Sequence, residues 1–256
     1  MPALPTSTLE RTMTNPLTAP IADPGSVDAA ILNRISVRAF RPDPVPREML
    51  EEIISISKRA PSGTNTQPWR VYVLTGAVRD AICDQVCKVF DDIYEHPELA
   101  EQYKPHFKYY PDNWVEPYIG RRRETGWSLY GLLGIEKGDK DKMHAQHRRN
   151  FRFFDAPVGM VFTMSRLMGQ GSLLDCGTFM QNVMLAARAR GLHTCAQAAW
   201  NDFGSIVLPY VGAAEDEVMV CAMALGWADE TDVVNELVTR REPLENFTKW
   251  MGWDAQ

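Results

Sequence analysis

Arg34-Ile35-Ser36-Val37-Arg38-Ala39-Phe40, then a helical segment, then Ala60-Pro61-Ser62-Gly63-Thr64-Asn65-Thr66-Gln67-Pro68-Trp69: this stretch decides how the chain is read. Both ends are polar loops rich in hydrogen-bond donors. The apolar helix between them would hold them in fixed relation. Arg34, Ser36 and Arg38 stand on alternate residues, so in an extended segment they point to one side, away from Ile35 and Val37. Two guanidiniums and a hydroxyl on one face suit a phosphate and an anionic ring system. In the linking segment Pro46 falls at the first helical position, where its missing N–H costs nothing. Met49, Leu50, Ile53, Ile54, Ser57 and Ala60 have the spacing of a core-facing stripe, and Pro61 ends it.

Outward from that stretch, composition narrows the classes. The chain has 256 residues, which suits one large domain or two small ones, and its composition is that of a soluble globular protein. A net charge of −6 argues against a nucleic-acid partner but leaves room for a local basic pocket. The apolar runs near 157–162 and 218–226 are too short to span a bilayer. The five cysteines include no Cys-x-x-Cys pair and read as buried free thiols of a reducing cytoplasm. Residues 1–25, rich in Pro, Thr and Ala, resemble neither a signal peptide nor a membrane anchor and read as a flexible arm.

Patterning predicts short helices at 27–33, capped by Ser26, and at 203–210, and a longer one at 77–94 with Val78, Ile82, Val86, Val89, Phe90 and Ile93 on one side. Ser172 and Asp175 resemble a capping box opening a largely buried helix that runs to Arg190, with Leu174, Phe179, Met180, Val183 and Ala187 inward and Gly191 as its stop. Buried strands are predicted at 71–74, 157–164 and 218–225, with a short strand or loop at 193–197. Between about 97 and 150 the pattern breaks into prolines and aromatics, with helical pieces at 122–133 and 139–150. A long irregular stretch is functional or disordered, and its aromatic density argues against disorder. Helices interleaved with few strands give an α+β or α/β class.

The paired motifs Arg-x-Ser-x-Arg-x-Phe and Ala-Pro-Ser-x-x-Asn-x-Gln-Pro-Trp resemble the opening of the FMN-dependent nitroreductase family. The likeness extends through Arg149-Asn150-Phe151, Ala156-Pro157-Val158, Gly191-Leu192-His193-Thr194-Cys195 and Leu225-Gly226-Trp227-Ala228-Asp229. It implies an α+β fold of the nitroreductase type, a three-layer α/β/α sandwich with a central mixed sheet, in one domain over 26–256 that forms an intertwined homodimer with two FMN sites at the interface. By that likeness Arg34, Ser36 and the pair Arg240/Arg241 hold the FMN phosphate. Arg38 lies near the ribityl chain and the N1–C2=O edge as an electrostatic stabiliser of reduced flavin. Pro61, Ser62, Gly63 and Asn65 reach the flavin from the partner subunit, and Gln197, Ala198 and Ala199 pass behind the ring. Many relatives carry a cation two residues before the final arginine, where this chain has Thr239, so the choice between Arg240 and Arg241 stays open.

The implied activity is NAD(P)H-dependent reduction of nitroaromatics to nitroso and hydroxylamine products, or on to amine, by ping-pong two-electron transfer. Tyr109, Tyr110, Trp114, Tyr118, Trp127 and Trp200 are the aromatic partners for a stacked substrate. No Ser/His/Asp arrangement and no Gly-x-Gly-x-x-Gly stands out, which leaves NADH or NADPH undecided. Other flavin reactions of the fold (reductive dehalogenation, quinone or enone reduction, flavin fragmentation) and non-catalytic FMN binding are the alternatives. His144 and His147, with Asp139 and Asp141 nearby, read as a solvated charged face in preference to a metal site.

Overall fold

The computed structural model describes residues 24–253. The expected arm at 1–25 therefore lies outside the described residues except for Pro24 and Gly25. Contacts divide the chain into two units, Met1–Asn33 and Arg34–Gln256. In the first, α1 (Pro24–Leu32) is the described element. It begins earlier than predicted, with Ser26 inside it.

The second unit is built on four strands in the order β1-β2-β4-β3. The elements run α2 (Arg47–Ser57), β1 (Arg70–Thr75), α3 (Gly76–Glu95), α4 (Tyr118–Leu132), α5 (Lys140–Arg148), β2 (Val158–Ser165), α6 (Gly171–Arg188), β3 (His193–Gln197), α7 (Gly204–Tyr210) and β4 (Glu217–Gly226), with short 3₁₀ turns between. All three strand pairs are antiparallel. The expected mixed sheet is, within one chain, four antiparallel strands with one parallel bridge, Ser36 to Thr194, at the β3 edge. Local patterning does not distinguish the two directions for short buried strands, because both read as continuous apolar runs.

Alternation along β2 separates two cores. Val158, Met160, Phe162 and Met164 pack with Leu50 and Ile53 of α2 and Phe179 and Val183 of α6. Val161 joins Ile82 and Val86 of α3, Phe151, Phe153 and Val207 on the other face. The result is helix, sheet, helix. Gly159 lies where β2 meets the second core; a Cβ there would stand 2.5 Å from the Phe153 ring.

Several local expectations fail for identifiable reasons. β1 is an edge strand in which only Leu74 is buried. The proposed Ser172/Asp175 capping box does not form: Gln170 precedes α6 without a side-chain cap bond. Asp175 instead accepts from the Gly63 amide at 3.3 Å. Leu174 and Val78, expected on core faces, are exposed. By contrast Gly191, at φ +79°, stops the chain after α6 in the left-handed region that glycine adopts freely. All five cysteines are free and buried. Among the described residues no helix is long and apolar enough to cross a membrane.

Candidate functional site

The arginine segment is clamped on both edges. The Val37 amide donates to the Thr194 carbonyl at 3.1 Å, the Arg41 amide to Trp227 at 2.9 Å, and the Asp229 amide to Ala39 at 3.0 Å. Asn235 closes the clamp from the far end of the chain. Its Oδ1 accepts from the Arg38 amide at 2.8 Å, and its Nδ2 donates to Ala39 at 2.9 Å. Pairing starts at Ser36, so Val37 is buried while Ile35, expected beside it, is exposed. Arg34, Ser36 and Arg38 all bear electrostatically on the Cys195 thiol of β3. Burial pushes that thiol up, against the opposing pull of Arg38, a Ser36 hydrogen bond and Arg34.

At Ala196, the residue after Cys195 and roughly 3.3 Å along β3, the strand enters a cavity of about 560 Å³. Its floor is Ala196, Gln197, Ala198, Ala199 and Asn201. Its walls include Lys108, Tyr109, Tyr110, Arg122, His147 and Asn150. The volume lies in the range of small-molecule sites. Gln197 Nε2 donates to Asn150 O at 2.7 Å and Asn201 Nδ2 to Val220 O at 2.9 Å. Among the described residues Gln197 Oε1 and Asn201 Oδ1 are buried without a partner. Buried acceptors of this kind call for an N–H or O–H donor.

The aromatic residues divide. Tyr109 and Tyr110 line the cavity, and burial pushes the Tyr109 phenol up. Trp114 stands behind them, its ring 5.3 Å from Tyr110. Tyr118 and Trp127 are exposed on α4 and outside the cavity lining. Trp200 is corrected outright: it is 0% exposed, stacked on Phe153 at 4.4 Å, and its indole N–H donates to Asn150 O at 2.8 Å. Core packing uses it completely.

The 61–67 loop is held on α6, with Thr178 Oγ1 donating to Pro61 O at 3.2 Å. Ser62 Oγ accepts from the Gln67 amide at 3.0 Å. Thr64, Asn65 and Gln67 all have positive φ (48°, 60° and 48°), a strained arrangement that persists only under local constraint. None of Pro61, Ser62, Gly63 and Asn65 lines the β3 cavity of its own chain. Arg240 and Arg241 line a different cleft, against α4. Arg240 pairs with Glu124 at 3.3 Å, and Arg241 donates to Thr239 Oγ1 at 2.7 Å.

Sequence reading missed Lys108, Arg122, Asn150, Asn201 and Asn235. The Arg121-Arg122-Arg123 run was the visible signal for one of them. His144 is also placed differently from the expected solvated face. It stacks on Phe90 at 4.6 Å and Tyr94 at 4.1 Å, with Nε2 2.9 Å from Asp91 Oδ1.

A family model described as the nitroreductase family matches residues 31–227. A 4-nitrobenzoate reductase of Nocardioides sp. (strain LMS-CY) is 38% identical over 228 residues, 89% of this chain and 90% of the relative. A chloronitrobenzene nitroreductase of Comamonas testosteroni is 37% identical over 88% of this chain and 96% of its own. Among solved structures, the FMN and NADPH-dependent nitroreductase NfnB of Sphigopyxis sp. strain HMH superposes with a TM-score of 0.83 at 36% identity, covering 89% of this chain and 99% of the other.

Proposed function

The chain belongs to the nitroreductase family, and from that premise we propose that it is an FMN-dependent NAD(P)H oxidoreductase that reduces nitroaromatic compounds to nitroso and hydroxylamine products. One observation carries the reading: β3, paired at Thr194 with the Arg34–Arg38 segment, runs directly into a cavity lined by Tyr109 and Tyr110. Relatives along nearly the full length are named for nitroarene reduction.

The donor set fits FMN. Arg34, Ser36 and Arg38 offer two cations and a hydroxyl to a phosphate, and Arg38 also brings fixed positive charge toward an anionic ring. The unpartnered oxygens of Gln197 and Asn201 suit ring N–H and ribityl O–H groups. When bound, FMN supplies a carrier of two electrons between NAD(P)H and the nitro group. The protein's own task is placement. Ala198 and Ala199 leave a small-residue floor, and the tyrosines offer flat faces to an electron-poor arene. Pro61, Ser62, Gly63 and Asn65 belong to the partner's site in a homodimer. Of the two C-terminal arginines, Arg241 carries the free charge, since Arg240 is engaged with Glu124. Five buried thiols suit the reducing cytoplasm.

The test is anaerobic. Purified protein should release FMN on denaturation, NAD(P)H should bleach the bound flavin, and a nitroarene should restore its colour, with parallel double-reciprocal lines in turnover. Flavin that NAD(P)H cannot bleach would make this a non-catalytic FMN-binding protein.

A further inference from the structure

We propose that Arg122 is a specificity residue that receives an anionic substituent of the aromatic ligand, so that the cavity favours carboxylated over neutral nitroarenes; this rests on the functional reading above. Arg122 lies in the second turn of α4 and lines the β3 cavity. Its guanidinium stands 5.0 Å from the centre of the Trp114 ring. Trp114 packs against Tyr110, which lines the same cavity. The arginine is thus set on an aromatic shelf that also shapes the site.

Of the two lining residues Lys108 and Arg122, Arg122 is the one without an ionic partner among the described residues. Nearby Arg121 holds Glu242 at 2.7 Å, Arg240 holds Glu124 at 3.3 Å, and Lys108 is paired with Asp112. Among the described residues Arg122 makes no hydrogen bond and no ion pair. A guanidinium covered on one face by an indole keeps its N–H edge free, and that fork matches a carboxylate bidentately. A lysine in its place would be a hydrated point charge without the shelf. The lining holds one acid among the described residues, Asp202, on the turn after β3. No ion pair joins it to Arg122 among the described residues. A ring stacked at Tyr109 and Tyr110 with a carboxylate on its rim would satisfy the guanidinium; a neutral ring would leave it unpaired. The phosphates of NAD(P)H are a second source of negative charge, and the test separates them.

Arg122→Met and Arg122→Lys would be compared with the wild-type holoprotein. First, benzoate and benzamide are titrated against oxidised holoprotein and followed by flavin absorbance, which needs no turnover. Arg122→Met should weaken benzoate by about 10- to 100-fold, the range of a charge-assisted contact, and leave benzamide unchanged. Arg122→Lys should retain part of the difference. Second, NADPH-reduced protein is mixed anaerobically with 4-nitrobenzoate or 4-nitrobenzamide; only the former should slow, by a similar factor, with NADPH reduction of the flavin unaffected. Equal losses on charged and neutral ligands would overturn the proposal, as would a loss confined to the NADPH step. If neither nitroarene reoxidises the wild type, the functional reading fails, while the benzoate titration still decides the role of Arg122.

Discussion

Arg34 and Glu217 show how this chain treats charge in two different ways. Arg34 has no ion pair among the described residues, and its charge bears on the same Cys195 thiol as Ser36 and Arg38. Replacing it with Ala should weaken FMN binding by roughly 1.5–3 kcal/mol, the scale of a charge-assisted contact, without altering the far-UV spectrum; a flavin titration showing unchanged affinity would remove it from the site. Glu217 is 2% exposed and accepts from Arg70 at 2.7 Å, Tyr72 at 2.9 Å, the Ala214 amide at 3.0 Å and Thr163. Desolvation pushes its carboxyl up, but these donors win, and it is held below its ordinary 4.5. A depressed folded value means the stabilisation is present above pH 4.5 and lost as pH falls through that lower value. Glu217→Gln should therefore cost about 2 kcal/mol near neutrality, solvent screening discounting the half-exposed Arg70 arm. It should also flatten the acid limb of a urea-midpoint profile; parallel limbs in the two proteins would refute this. Alternate spacing made Arg34, Ser36 and Arg38 legible because it is a local property. Trp200 was not legible, because its burial is set by Phe153 and Asn150, roughly fifty residues earlier.

Helices with a clean apolar stripe were legible to within about three residues: α2 ends at Ser57, not Ala60, and Pro46 precedes it instead of opening it. The 77–94 expectation became Gly76–Glu95, and the Leu50/Ile53/Ser57 stripe is buried as spaced. Helix α4 was the exception: it starts at Tyr118, not 122, because its apolar residues form no stripe and none is buried. Strand direction and edge position were equally opaque, since both depend on partners distant in sequence. The sheet nevertheless carries one requirement that the sequence displays as a bare glycine. At Gly159 an added Cβ would strike the Phe153 ring, which cannot yield because Trp200 is stacked on it. Gly159→Ala should therefore destabilise the fold by about 1–3 kcal/mol, in the range of overpacked cores. It should also loosen the Asn150 carbonyl that Gln197 and Trp200 both use. A thermal midpoint equal to wild type would show that the ring can move aside.

At the scale of the whole molecule, the surface of one chain is not finished. Phe247, Trp250, Met251 and Trp253 are all exposed, with Trp250 and Trp253 packed edge to face 5.6 Å apart. Exposed aromatic clusters of this kind mark contact surfaces. The strained 61–67 loop likewise presents Gly63 and Asn65 to solvent, away from its own chain's cavity. Strain of this sort persists where the surroundings use it. Both features make sense if a second copy covers the tail and receives the loop at its flavin site, so we predict an obligate homodimer burying roughly 2,000 Å² or more. Sedimentation at low micromolar concentration should give a dimer with one FMN per chain. Trp250→Ser, and separately truncation after Asn246, should shift the equilibrium toward monomer and weaken FMN in step, because in that arrangement each site would borrow residues from the other chain. The point variant guards against a truncation that fails to fold. A wild-type monomer holding FMN would refute the arrangement; a monomeric Trp250→Ser that keeps full flavin affinity would refute the shared site and leave the tail a contact surface only.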